Sequence, residues 1–209
     1  MSAIGGIYSF EGDLVDETVI AELDHGLAAL GSDGGGQVKS GPVGMVYRAF
    51  HTTKESRREV QPFRSTAGHI LCWDGRLDNR EELISLLRDE LHGDFTDAAI
   101  VMAAYLKWGI DFLPRLTADF ALSLWDPAQR ALILARDVIG SRDLFYHIDR
   151  RRSVWSTDLR QLVRVSRIKP EVDENYIAGY LTRLPDSSQS PFTNISLVPP
   201  AHAVMIKNG

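Results

Sequence analysis

Apolar positions along the chain fall into short runs whose period changes from two to three or four and back. Ala3 to Phe10 is an apolar, Gly-broken run that predicts a buried strand, with Glu11-Gly12-Asp13 as the turn closing it. From Asp16 to Leu30, Val19, Ile20, Leu23, Leu27 and Leu30 recur at helical spacing and predict an amphipathic helix. Gly31-Ser32-Asp33-Gly34-Gly35-Gly36 predicts a loop after it. In Val43 to Phe50, Val43, Met45 and Tyr47 alternate against smaller or polar neighbours and predict a strand. Thr52 to Glu59 reads as a surface loop, and His69 to Asp74 as a strand closed by a turn at Asp74-Gly75.

Asn79-Arg80-Glu81-Glu82 has the signature of a helix start: Asn can cap, and two acids fall in the first turn ahead of Leu83, Leu86 and Leu87. A second helix is expected from Thr96 to Trp108. Ala118 to Trp125, Ala131 to Arg136, Asp143 to His147 and Val154 to Ser156 then predict a meander of short antiparallel strands. Leu159 to Val165 and Asn175 to Thr182 read as short helices, and Ala203 to Lys207 as a last strand. Strands, helices, strands, helices is the order of an α+β fold with antiparallel sheets and helices outside, rather than a doubly wound parallel sheet.

Composition narrows the function. With 44% hydrophobic and 24% charged residues, the chain can bury a substantial core without staples. A net charge of -5 argues against a nucleic-acid partner, which needs clustered Lys and Arg; Arg150-Arg151-Arg152 reads as a solvated hairpin tip. Cys72 is the one cysteine, expected to be a small buried hydrophobe, so no internal disulfide can form. The chain shows neither a signal-like leader nor an apolar run of membrane-spanning length, so no membrane partner is expected and the expected location is cytoplasmic. There is no phosphate-binding glycine loop, no metal-ligand spacing and no His cluster.

Four stretches carry more specific information: MSAIGGIYSF, VYRAF, WDGRLDNREEL and ARDVIGSRDLFY. In this order and spacing they resemble the glutaminase domain of class II glutamine amidotransferases. The resemblance is strongest to the N-terminal domain of glutamine-hydrolysing asparagine synthetases and their relatives, the lasso-peptide cyclases and β-lactam synthetases. It runs from residue 1 to about Leu162, and Val198-Pro199-Pro200-Ala201-His202 resembles the family's link towards a synthetase domain. The expected division is therefore 1–165, glutaminase-like, and 166–209, a C-terminal extension beginning that link. The fold implied is the four-layer αββα sandwich of N-terminal-nucleophile hydrolases, two antiparallel sheets between helices.

The resemblance also implies a site. In active members the initiator Met is removed and an exposed Cys attacks the glutamine amide, its own α-amino group serving as base. Here Ser2 stands at the nucleophile position, small enough to permit removal of Met1 but a poorer nucleophile than a thiol. Arg48 matches the arginine that would pair with the substrate carboxylate, and Asp97 the acid that would hold its ammonium. Gly75 matches a glycine of the oxyanion region. Asp74 stands where an amide should donate to the oxyanion, and an ionised carboxylate has no proton to give. Arg76 replaces a pocket glutamate, and only Gly31, Ser32, Asp33 and Gly34 follow a loop that carries further basic residues in the family.

Structural readings stand beside these roles. Asp74, Gly75 and Arg76 can form a strand-ending turn with Arg76 solvated or paired to Asp78, and Arg48 and Asp97 can be an internal ion pair. The Arg136-Asp137 to Gly140 stretch resembles a structural turn of the family, with Asp143 in place of its proline.

The leading expectation is a pseudo-glutaminase: a domain that keeps the fold without ammonia production and serves as scaffold for an ATP-dependent amide- or lactam-forming domain. It would use no cofactor itself, with ATP and Mg expected only if a synthetase domain follows. The alternatives are an amidohydrolase using Ser2, and a non-catalytic amino-acid-binding or interaction module. Candidate partners are a synthetase domain in cis or trans, a glutamine-like amino acid and a second copy of the chain.

Overall fold

On the first strand, β1 (Ala3–Ser9), Ile4 and Tyr8 face one way, Ala3 and Ile7 the other, and both sets are buried. A strand covered on both faces must lie inside a layered structure. The structure is a computed structural model that describes residues 1–12, 14–184 and 186–207, so Asp13 of the expected first turn lies outside the described residues.

After β1 come α1 (Glu17–Leu27), β2 (Gly35–Ser40), β3 (Val43–Arg48), β4 (Phe63–Arg64), β5 (Ile70–Leu77), α2 (Arg80–Leu86) and α3 (Asp97–Trp108). The second half holds β6 (Ala118–Asp126), β7 (Ala131–Arg136), β8 (Phe145–Ile148), β9 (Arg152–Ser156), α4 (Leu159–Ser166), α5 (Glu174–Leu181), β10 (Ser196–Leu197) and β11 (Ala203–Lys207). The strands form a six-stranded sheet, in order β10-β8-β9-β1-β3-β2, and a five-stranded sheet, in order β11-β7-β6-β5-β4. Every pairing is antiparallel.

Three apolar clusters join the layers. Ile4, Tyr8, Met45, Tyr47 and Trp155 of the first sheet meet Ile70, Cys72, Trp125, Leu132 and Leu134 of the second. Outside the first sheet, Val19, Ile20, Leu23 and Leu27 of α1 and Leu162 and Val165 of α4 cover Ala3, Ile7, Val46 and Val154. Each fully buried aliphatic side chain contributes about 1.5–3 kcal/mol. Outside the second sheet, α2 and α3 cover Leu71, Trp73, Leu122 and Ile133. The fold is α+β, an αββα sandwich.

Caps set the helix starts. Asp16 accepts from Thr18 N–H at the head of α1, and Thr96 from Ala99 N–H at the head of α3. Asn79 does not cap α2. Its amide instead accepts from Thr117 N–H at 3.0 Å and donates to the Arg115 carbonyl at 3.0 Å, tying α2 to the start of β6.

Three sequence expectations change. Gly35 and Gly36 are not loop but strand: β2 pairs with β3, and a Cβ on Gly35 would lie 2.4 Å from the Tyr47 carbonyl oxygen. These glycines are there because neighbouring backbone comes too close for a side chain. β5 does not turn at Asp74-Gly75 but runs on to Leu77, with Asp74, Gly75 and Arg76 opposite Ala121, Phe120 and Asp119 of β6. The expected single meander is two hairpins in different sheets, because the chain crosses between layers at residues 137–144. Buried Arg136 braces that crossing by donating to the carbonyls of Arg142, Gly140 and Val198. The segment after α4 supplies an edge strand to each sheet, β10 and β11.

Candidate functional site

At the end of β1 where the chain begins, the two sheets leave a cavity of about 60 Å³ lined by Met1, Ser2, Tyr47, Thr52, Ser56, Glu59, Asp74, Gly75 and Arg142, among others. The Ser2 hydroxyl shares a 3.1 Å hydrogen bond with the Tyr47 hydroxyl and accepts from Phe50 N–H at 3.1 Å. β3 delivers Tyr47 because alternation turns Met45 and Tyr47 towards the second sheet. Burial pushes the Tyr47 phenol far above its ordinary range, so it is a neutral hydroxyl at any working pH.

Asp74 is the charged centre of the cavity. It is 3% exposed, and the Arg142 guanidinium donates to it at 3.0 Å. Burial pushes its carboxyl up to about 6, against the pull of Arg142, the chain's terminal ammonium and the Ser2 amide N–H. Gln61 holds the backbone beside it: its amide accepts from Trp73 N–H at 2.7 Å and donates to the Trp73 carbonyl at 2.9 Å. Glu59, a second acid on the cavity wall, accepts from Gln61 at 2.9 Å and from Ala98 N–H at 3.3 Å, and burial raises its carboxyl too. Gly75 leaves no room for a side chain, since a Cβ would lie 2.7 Å from the Trp73 indole and 2.8 Å from the Phe120 Cβ.

A hydroxyl at the N-terminus of a central strand, at the mouth of an αββα sandwich, is the placement an N-terminal nucleophile requires. Residues 1–209 match the family model described as a glutamine amidotransferase domain. The chain belongs to that family. It is 26% identical to the amidase chyE of Penicillium rubens over 88% of this chain and 28% of that protein. It is 25% identical to asparagine synthetase [glutamine-hydrolyzing] 3 of Bacillus subtilis over 65% of this chain and 23% of that protein. This amidotransferase domain thus spans about a quarter of the length of these curated relatives. Its fold is that of the glutamine phosphoribosylpyrophosphate amidotransferase of B. subtilis, solved with ADP and GMP: TM-score 0.65, 16% identity, 99% of this chain and 49% of that one.

Of the residues singled out from the sequence, the amidotransferase domain brings Ser2, Asp74 and Gly75 to the cavity wall. It places Arg48 on the opposite face of β3, where the guanidinium donates to the Asp24 carboxylate at 2.5 Å and the Asp24 carbonyl at 3.1 Å on α1. Asp97, at the start of α3, accepts from Leu77 N–H at 2.9 Å and pairs with Arg80. Arg48 and Asp97 are each paired within the fold, with other partners than one another. Arg76 is exposed and pairs with Asp78 at 2.9 Å. Cys72 is buried, its thiol pushed up by burial.

Sequence reading missed Tyr47, Glu59 and Arg142. Tyr47 was within reach, because strand alternation that turns Tyr47 inward must turn Arg48 outward. Arg142 had no local signal. Among the described residues no helix is long and apolar enough to cross a membrane, and no group of three or more acidic, His or Cys side chains could hold a metal ion.

Proposed function

We propose that this glutamine amidotransferase domain is catalytically silent and acts as the structural partner of an ATP-dependent amide- or lactam-forming domain. The observation that carries the reading is the Asp74–Arg142 ion pair beside the Ser2 hydroxyl, which puts a carboxylate acceptor at the position where amide hydrolysis needs a hydrogen-bond donor.

Two protonation requirements exclude one another there. Asp74 could donate to an oxyanion only when protonated, below about pH 6. An N-terminal amine, with an ordinary pKa of about 7.7–8.0, could accept the Ser2 proton only when neutral, well above that. At no pH are both groups mostly in the form required. Space points the same way: a cavity of about 60 Å³ is far below the roughly 300 Å³ of the smallest usual ligand pockets. The similarity to asparagine synthetases and amidases that are several times longer supports the partner half of the reading.

Glutamate release from glutamine tests the silent half. The Ser2-terminal protein should release glutamate no faster than its Ser2→Ala variant between pH 5.5 and 9, and release above that control would overturn the reading. In a longer protein carrying this domain, Ser2→Ala should leave ATP-dependent amide formation intact while excision of the domain abolishes it.

A further inference from the structure

Apart from the chain's own terminal ammonium, the cavity around Ser2 holds more negative than positive charge on its walls. Besides the terminal ammonium of Met1, the ionisable groups facing it are Tyr47 from β3, Glu59 from the segment before β4, Asp74 from β5 and Arg142 from the crossing after β7. Tyr47 is neutral, which leaves two carboxylates against one guanidinium, with His51 and Arg80 acting on Glu59 from further out. Arg142 donates to one oxygen of Asp74 only, and a carboxylate has about four lone-pair sites, so Asp74 has acceptor capacity to spare. What faces that remaining capacity is the start of the chain: the Ser2 amide N–H and, from further away, the ammonium of Met1, a residue 67% exposed.

We propose that the amino group left on Ser2 when Met1 is removed is held as an ammonium ion against Asp74, so that the N-terminus of this chain is a structural ion rather than a base. The inference rests on the reading of the site as silent and gives the terminus a different task. Hydrolysis of the Met1–Ser2 bond by a methionine aminopeptidase consumes one water, releases free methionine and leaves the Ser2 nitrogen as an amine, which takes up a proton. That nitrogen already faces Asp74 as a neutral amide donor. Processing leaves the charge of the terminus unchanged but moves it from Met1 to the nitrogen beside Asp74, which makes the hydrogen bond to Asp74 a charge-assisted one. Loss of Met1 is then a maturation step that tightens the mouth of the sandwich.

Intact mass of the protein as expressed comes first, and it should lack Met1; retained Met1 overturns the proposal. Met1-retained and Ser2-terminal forms, prepared by protease release from N-terminal tags, are then compared by thermal melting at pH 7. The rate of N-terminal acetylation by acetic anhydride is followed from pH 6 to 10. The Ser2-terminal form should melt several degrees higher, and its amine should react with a midpoint at least one pH unit above the ordinary value of about 7.7–8.0. Asp74→Asn should remove both effects. Equal melting temperatures, an ordinary midpoint, or shifts that survive Asp74→Asn each overturn the proposal. Should Asp74→Asn fail to fold, the native Ser2-terminal chain compared with the same chain in urea decides on the amine midpoint. Glutamate release is a separate readout: a silent protein with an ordinary amine defeats the ion pair alone, and an active protein with a raised amine defeats the silent reading alone.

Discussion

Arg142 reaches Asp74 across 68 residues of sequence, from the crossing between the sheets to the middle of β5, and donates to its carboxylate at 3.0 Å. Both side chains are largely buried, so each is the other's principal compensation for lost hydration.

Removing Arg142 should therefore cost more than a surface pair would. Arg142→Met is expected to lower unfolding stability by about 3 kcal/mol at pH 8, because it strands a buried carboxylate. The loss should shrink below pH 6, where Asp74 takes up a proton. Urea denaturation at pH 5 and pH 8 measures both, and a deficit that does not depend on pH would count against the account of Asp74.

The same carboxyl gives the chain that keeps Met1 a pH slope. In the folded chain it is pushed up to about 6, mainly by burial, so the folded state holds a proton that the unfolded state releases near its usual value. Its contribution is fully present below about pH 4 and is lost as pH rises through about 6, an effect of up to about 3 kcal/mol. Asp74→Asn should flatten that part of the profile, read from denaturation midpoints at half-unit pH steps.

Arg48 has a structural assignment in the fold. Its pair with Asp24 is about a quarter exposed, and Arg48→Met is expected to cost about 1 kcal/mol in denaturant unfolding. Calorimetry with millimolar glutamine should give no heat for either protein. Heat with wild type that disappears in Arg48→Met would return Arg48 to a substrate-binding role.

Gly75 is held by packing. Gly75→Ala should destabilise by about 1–3 kcal/mol, because the new methyl meets the Trp73 ring and Phe120 at under 3 Å. A neutral substitution in a melting experiment would show that Trp73 moves aside without cost.

Much of the architecture was legible in local pattern. Val19, Ile20, Leu23 and Leu27 recur on one helical face, and these four are the buried residues of α1. The alternation of Val43, Met45 and Tyr47 gives β3 and its inward face. The motif around Ser2 placed the start of the chain at a site, and the cavity lies there. Such features depend on residues a few positions apart, which is the range over which periodicity and capping act.

The rest depended on neighbours distant in sequence. Gly35 reads as loop until β3 is laid beside it, since the need for glycine comes from backbone on another strand. Asp74-Gly75 reads as a turn until β6 pairs through it. Nothing near Phe145 says that β8 joins β9 in the first sheet while β7 stays in the second, because both hairpins have the same local chemistry. By itself the sequence determined most of the elements, most of the faces they bury, and the family. Tertiary structure alone decided that Arg48 meets Asp24, that Arg142 meets Asp74, and that the latter pair closes the site around Ser2. An ion pair between distant residues has no local period by which to be read.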